Sequence, residues 1–219
     1  MFQAKKKKNL LSRIKKNFKQ SLRRATWFPY RKNRILKTKI TDLLQDNVKL
    51  HLGCGDKKIQ GYVNIDIVPT EGTDLVMDIA QGLDLIPSGI AAEIRLENVF
   101  EHLYRYQQND TLEQFKRILK KDGCLIIKWL PDFDNIIQAY LKKEKGVVGE
   151  TFDLFNVYRL THGDPLPRNS PQQIHKDIFT KDTIKTLLEN NGFMIEEMKN
   201  EVYPGEELAL CVNIIAKIL

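Results

Sequence analysis

A chain of 219 residues is long enough to bury its own core as one α/β domain, and its three cysteines (Cys54, Cys124, Cys211) lie too far apart for a disulfide framework or a zinc-finger spacing. The net charge of +7 is concentrated: residues 1–40 hold 15 Lys and Arg and no Asp or Glu, which leaves 20 basic against 28 acidic residues in the remainder. No apolar run reaches the about 18 residues of a membrane span, and Leu10-Leu11 falls short of the about 7 apolar residues of a secretory signal. A reduced, cytoplasmic chain is expected, peripheral at most to the inner face of a membrane.

Residues 1–46 read as a basic amphipathic arm. Leu10, Leu11, Ile14, Phe18 and Leu22 recur at helical spacing, and lysines and arginines fill the other faces. Trp27, Phe28 and Tyr30 follow, and Pro29 breaks the pattern. Such a helix lies in the interface of an anionic membrane, lies along nucleic-acid phosphates, or stays solvated beside its own domain. Composition leaves the three open.

Residues 47–219 read as the folded domain. Val48, Leu50 and Leu52 alternate into a turn at Gly53 and predict the first strand. Tyr62–Ile67 is the second, Asp74–Asp78 a short third, and Ala91–Leu96 the fourth, running into "ENVFEHL". Leu112, Phe115, Ile118 and Leu119 mark an amphipathic helix ended by Asp122-Gly123. "CLIIKWLP" is a continuous apolar fifth strand stopped by Pro131. Residues 132–145 read as helical. Residues 146–178, with three prolines and no period, read as a long loop inserted at the active site. Thr180 caps a helix through Asn190, Asn191-Gly192 stops it, and Phe193–Met198 and Leu208–Leu219 close the chain as strands. The expected fold class is α/β: a Rossmann-like three-layer sandwich with a mostly parallel central sheet.

In such sheets, ligands bind beyond the carboxyl ends of the strands. Gly53-Cys54-Gly55 ends the first strand, where missing side chains let a ligand approach the backbone. Asp66 ends the second, placed to accept hydrogen bonds from both hydroxyls of a ribose. Asp78 ends the third, near the position of an adenine amino group. Glu97 to His102 follow the fourth. The loop runs almost directly into the second strand through Gly61, with hardly room for a helix, and the full three-glycine dinucleotide fingerprint is absent.

With these residues in place the chain resembles the class I S-adenosylmethionine-dependent methyltransferases, over about residues 47 to 200. More narrowly it resembles the small bacterial group with an "LGCG…GxxNxD" opening, linked to surface-polysaccharide and glycan genes. The matching stretches are "LHLGCGDKKIQGYVNIDI", the aspartate of "LVMDIAQGL", "ENVFEHL", "RILKKDGCLIIKWLPD" and "QIHKDIFTKDTIKTLLENNGF". The acidic residue usual before the glycine loop is missing, and His51 stands near its place.

The resemblance implies S-adenosyl-L-methionine as cofactor and S-adenosyl-L-homocysteine as product. Gly53, Cys54, Gly55 and Asp66 with Ile67, Asp78 with Ile79, and Glu97 form the expected cofactor set. Removal of an acceptor's proton falls to His102 or His175, and His162, Asp164 and Lys176 meet the substrate, with Tyr158 and Arg159 nearby. No cluster has metal-ligand spacing in sequence, so no metal is expected. The acceptor this implies is a hydroxyl of a glycan or sugar-linked molecule. A nucleic-acid or small-metabolite methyltransferase, or a module that binds the cofactor and transfers nothing, are the alternatives.

Overall fold

Seven strands form a single sheet, each where an alternating or continuous apolar run predicts one. They are β1 (Val48–Leu52), β2 (Val63–Asp66), β3 (Leu75–Val76), β4 (Ala91–Glu97), β5 (Leu119–Pro131), β6 (Phe193–Glu201) and β7 (Cys211–Ile218). The structure, a computed structural model, describes residues 42–146, 149–163 and 171–219. Spatial order is β3-β2-β1-β4-β5-β7-β6. Pairing is parallel from β3 across to β5, and β7 runs antiparallel between β5 and β6. Among the described residues there are four α-helices: α1 (Arg105–Ile118), α2 (Phe133–Lys142), α3 (Leu154–His162) and α4 (Lys181–Asn190). The sheet is Rossmann-like, as expected.

Central strands covered on both faces need apolar residues at successive positions. Leu50, Leu52, Ile65, Ile94, Leu96 and Leu125 are fully buried, together with Leu112, Phe115 and Ile118 of α1 and Ile184 and Leu188 of α4. At about 1.5–3 kcal/mol for each large side chain removed from water, this cluster is the main stabilising term. It belongs to one compact unit, Ile40–Leu219. The apolar stripe of the arm, Leu10 to Leu22 with Trp27 and Phe28, lies outside the described residues.

Two expected boundaries are corrected. The helix before β5 spans Arg105–Ile118 and passes into the strand at Leu119, four residues before Gly123. Asp122-Gly123 is therefore no helix stop. Ala91 pairs with Leu119 but Glu93 with Cys124, so the residues between bulge out of the strand. A side chain at Gly123 would bring its Cβ within 2.9 Å of the Ala91 carbonyl oxygen, so close packing is what glycine serves there.

Residues 146–178, expected as an irregular loop, contain α3 and a 3-10 turn at Pro171–Gln173. Asp153 caps α3 by accepting from the Asn156 N–H at 3.0 Å. No period shows in the sequence because α3 exposes large residues. Leu154, Phe155 and Tyr158 face outward, while its buried side adds only Val157 and Leu160 to a small cluster of Ile136, Ala139, Phe152 and Leu210.

Candidate active site

The glycine turn folds back onto β2. The N–H groups of Gly53 and Cys54 both donate to the Ile65 carbonyl, at 2.8 and 3.1 Å. Gly53 and Gly55 take left-handed φ values of +69° and +53°. The Gly55 N–H donates to Asp66 Oδ2 at 2.8 Å, and the Val68 N–H to Asp66 Oδ1 at 2.8 Å. Asp66 thus ties the turn after β1 to the end of β2, and each oxygen keeps a second lone pair. Asp78 lies two residues past β3, where Oδ1 accepts from the Ala80 N–H at 2.9 Å, with half-buried Ile79 packed on the core. Half-buried Ile67 follows Asp66. Cys54 is buried, its Sγ 3.8 Å from Thr73 Oγ1, and burial raises its thiol pKa. Glu97 ends β4 between Arg95 (2.7 Å) and Lys57 (2.5 Å). Burial pushes its carboxyl up, but these two cations outweigh that and hold it below the usual range.

No helix separates the turn from β2; residues 53–62 form the whole connection. His51 and Asn64 explain how so short a crossover holds. The Asn64 side chain accepts from the Ile59 N–H at 2.9 Å and donates to the carbonyls of Ile59 and Tyr62 and to Asp74 Oδ2. His51, 1% exposed, completes this by donating from Nδ1 to Asn64 Oδ1 at 3.0 Å. Burial lowers its pKa and keeps the imidazole neutral. A carboxylate at this position would face Asn64 Oδ1, acceptor against acceptor. The residue in place of the usual acid is thus a bolt for the connection.

Beyond β4 and β5 the chain builds a cavity of about 180 Å3. Asn98, Glu101 and His102 line it from the exit of β4, Trp129 from β5, His175 from the segment after the 3-10 turn, and Tyr203 and Cys211 from the far edge. Asn98 and Trp129 hold positive φ values of 54° and 64°, strain of the kind that collects at functional sites. The Glu101 carbonyl accepts from the Lys176 N–H at 2.8 Å, which pins residues 173–177 over the Phe100–His102 turn.

Two predicted residues meet there. The rings of His102 and His175 lie 4.9 Å apart, edge to face. His102 Nδ1 lies 3.1 Å from the Ile174 carbonyl and His175 Nδ1 3.0 Å from the Leu160 carbonyl. A carbonyl only accepts, so each Nδ1 carries a proton. Burial also lowers the His102 pKa. Glu101 is 2% exposed, and burial pushes its carboxyl up to about 8. Its Oε2 has no hydrogen-bond partner among the described residues. Two imidazoles and a buried carboxyl in one cavity are groups of the kind that take a proton from a bound hydroxyl.

The other expected substrate residues are elsewhere. The exposed His162 ring stacks on Tyr158 at 5.1 Å and its Nδ1 bonds Thr161 Oγ1 at 2.8 Å, outside the cavity lining. Lys176 lays its ammonium 4.6 Å from the centre of the Tyr104 ring, also outside it. Asp164 lies outside the described residues. Arg159 lines the cavity and pairs with Glu206 at 2.6 Å. Trp129, Tyr203 and Glu206 had no signal in sequence: Trp129 reaches the exit of β4 through the parallel pairing of β5 with β4, and Tyr203 and Glu206 only through the antiparallel return of β6 and β7.

No family model matches the sequence, and no curated protein does. Solved structures do match in fold. A SAM-dependent methyltransferase from Methanosarcina mazei is 18% identical, with 82% of this chain and 96% of that one covered and a TM-score of 0.51. A SAM-dependent methyltransferase from Archaeoglobus fulgidus is 16% identical over 84% and 93%, with a TM-score of 0.51. The 1,6-didemethyltoxoflavin-N1-methyltransferase of Burkholderia thailandensis, solved with that molecule and S-adenosylhomocysteine, is 13% identical over 96% and 89%, with a TM-score of 0.50. This chain has the fold of these enzymes.

Proposed function

We propose that the chain is an S-adenosylmethionine-dependent methyltransferase acting on a hydroxyl of a glycan or sugar-linked acceptor. The observation that carries this reading is the bracket of Gly55 and Asp66 at the carboxyl ends of β1 and β2, with a histidine-bearing cavity beyond the neighbouring strands. Nothing lies within 4 Å of the position a Cβ would take on Gly55, so that side is open to a ligand. In the step itself the acceptor oxygen bonds the methyl carbon as the carbon–sulfur bond breaks, its electron pair staying on sulfur. The hydroxyl proton passes to Nε2 of His102 or His175. The protein's tasks are alignment and exclusion of water.

The cavity is small beside the ~300–1,000 Å3 clefts that hold drug-sized ligands. Trp129 and Tyr203 meet edge to face at 5.5 Å in its wall, with Glu206 and Arg159 alongside. Aromatic faces beside charged groups suit a sugar ring, whose C–H face is apolar and whose rim is hydroxylated. A small metabolite is the alternative acceptor, as in the Burkholderia enzyme.

Calorimetry tests the cofactor. S-adenosylhomocysteine is expected to bind and NAD at equal concentration to give no heat, because no helix follows the turn to offer its N-terminus to a pyrophosphate. Comparable binding of NAD, or none of the adenosyl ligand by folded protein, overturns the proposal.

The arm is proposed as an attachment to anionic membrane on the cytoplasmic side. Among the described residues no helix is long and apolar enough to cross a membrane. Deleting residues 1–40 is expected to leave S-adenosylhomocysteine binding unchanged and to abolish co-sedimentation with anionic vesicles. Each basic residue adds about 1 kcal/mol near such a surface and fades with salt, whereas the apolar stripe makes part of the binding salt-resistant. If the full chain ignores vesicles and binds RNA with a steep salt slope, the nucleic-acid reading of the arm replaces this one.

A further inference from the structure

Glu101, His102 and His175 bring a carboxylate oxygen and two imidazole nitrogens within 4.8 Å of one another. We propose that this trio binds one divalent transition-metal ion of the zinc type in the wall of the acceptor cavity. The ion's use, to hold the acceptor oxygen and ease loss of its proton, rests on the methyltransferase reading; the binding of the ion does not.

Three features of the trio point to an ion. Glu101 is buried, and its Oε2 has no partner among the described residues, in a structure that otherwise satisfies nearly all its buried polar atoms. A cation is one way to meet that orphaned oxygen. Second, both histidines donate Nδ1–H to a backbone carbonyl. Metal-bound imidazoles are oriented in this way, one ring nitrogen donating to a carbonyl and the other bound to the ion. Third, the three residues border a cavity and leave room for an outside oxygen. Two histidines, one glutamate and an open position are the arrangement of catalytic zinc sites and of related iron(II) sites. Magnesium and calcium prefer all-oxygen shells, so the two imidazoles select against them.

Geometry demands a modest adjustment. Ion–ligand bonds of about 2.0–2.2 Å in a tetrahedron place ligand atoms roughly 3.3–3.6 Å apart. The trio contracts from its present spread as the ion enters. His102 and Glu101 are adjacent on the Phe100–His102 turn, and His175 follows the 3-10 turn, so side-chain rotation supplies most of the movement. A second buried oxygen without a partner among the described residues, Asn98 Oδ1, lies in the same cavity wall, available to a proton on whatever the ion holds. With the ion bound, neither histidine serves as the base: the acceptor hydroxyl would bind the ion and lose its proton to water, its oxygen would bond the methyl carbon as the carbon–sulfur bond breaks with the electron pair staying on sulfur, and the product ether would leave the ion.

The test uses the full chain, untagged and stripped with chelator, titrated with cobalt(II) as a spectroscopic probe and with zinc by calorimetry. One equivalent is expected, with the visible bands of a four- or five-coordinate nitrogen–oxygen site and no thiolate band from Cys211. His102→Ala and His175→Ala are each expected to weaken zinc by more than about 100-fold, beyond the 10–100-fold typical of outer partners. The near-isosteric Glu101→Gln guards against loss of fold and is expected to weaken it similarly. S-adenosylhomocysteine binding, measured on the same samples, should persist in all three. Absence of stoichiometric binding, or binding that ignores all three substitutions, overturns the metal site while leaving the methyltransferase reading intact. Loss of adenosyl binding in the unaltered protein overturns that reading and not the metal site.

Discussion

Asp66→Ala is expected to weaken S-adenosylhomocysteine binding by about 10- to 150-fold, the equivalent of about 1.5–3 kcal/mol for hydrogen bonds to a charged group. The effect has two sources. The carboxylate accepts from Gly55 N–H and Val68 N–H, both at 2.8 Å, so its removal loosens the glycine turn. In the proposed complex its remaining lone pairs take the two ribose hydroxyls. A paired measurement separates the sources. Unaltered protein should prefer adenosine to its dideoxy analogue, and Asp66→Ala should bind both equally weakly. If the preference survives the substitution, Asp66 only supports the turn and the ribose is held by another group. Asp66→Asn keeps the volume and one acceptor oxygen, and falls between the two.

How far the site was readable from sequence depended on how local its chemistry is. Gly53, Gly55 and Asp66 lie on consecutive strand ends, and alternation in "VKLHL" and "YVNIDI" places those ends without a structure. His102 was readable because it follows β4 directly. Glu101 was not singled out, because its neighbours in sequence do not reveal that it is buried. Its meeting with His175, 74 positions away, depends on residues 173–177 folding over the Phe100–His102 turn. His51 was visible as a departure from pattern, but its reason was not. The polar partner is Asn64, on the adjacent parallel strand, and only the register His51↔Asn64 sets the two side by side. The helix α3 escaped because an amphipathic period needs a polar outer face. Leu154, Phe155 and Tyr158 give it an apolar one.

The two glycines of the turn should fail in different ways when a methyl group is added. At Gly53 the new Cβ would lie 2.4 Å and 2.8 Å from the two γ-carbons of Val99, and φ is +69°. Left-handed backbone costs an alanine about 1–2 kcal/mol and overpacking about 1–3 kcal/mol, so Gly53→Ala is expected to destabilise by about 2–5 kcal/mol. For a domain of this size that lowers the melting temperature by roughly 5–20 °C. Val99→Ala removes the obstructing carbons but leaves the strained φ. The double variant should therefore recover the steric part, and a double-mutant cycle should give a coupling of about 1–3 kcal/mol. Gly55 is the contrast. Its φ is +53°, but nothing lies within 4 Å of the added Cβ. Gly55→Ala should pay only the backbone term in stability, about 1–2 kcal/mol, while its methyl group stands where the adenosyl ligand approaches the turn. Its main loss should be in ligand affinity, and that of Gly53→Ala in unfolding. Thermal unfolding and S-adenosylhomocysteine titration of both variants decide the matter. If Gly55→Ala binds as tightly as the unaltered protein, the ligand does not cross the open side of the turn, and the bracket of Gly55 and Asp66 is not where it sits.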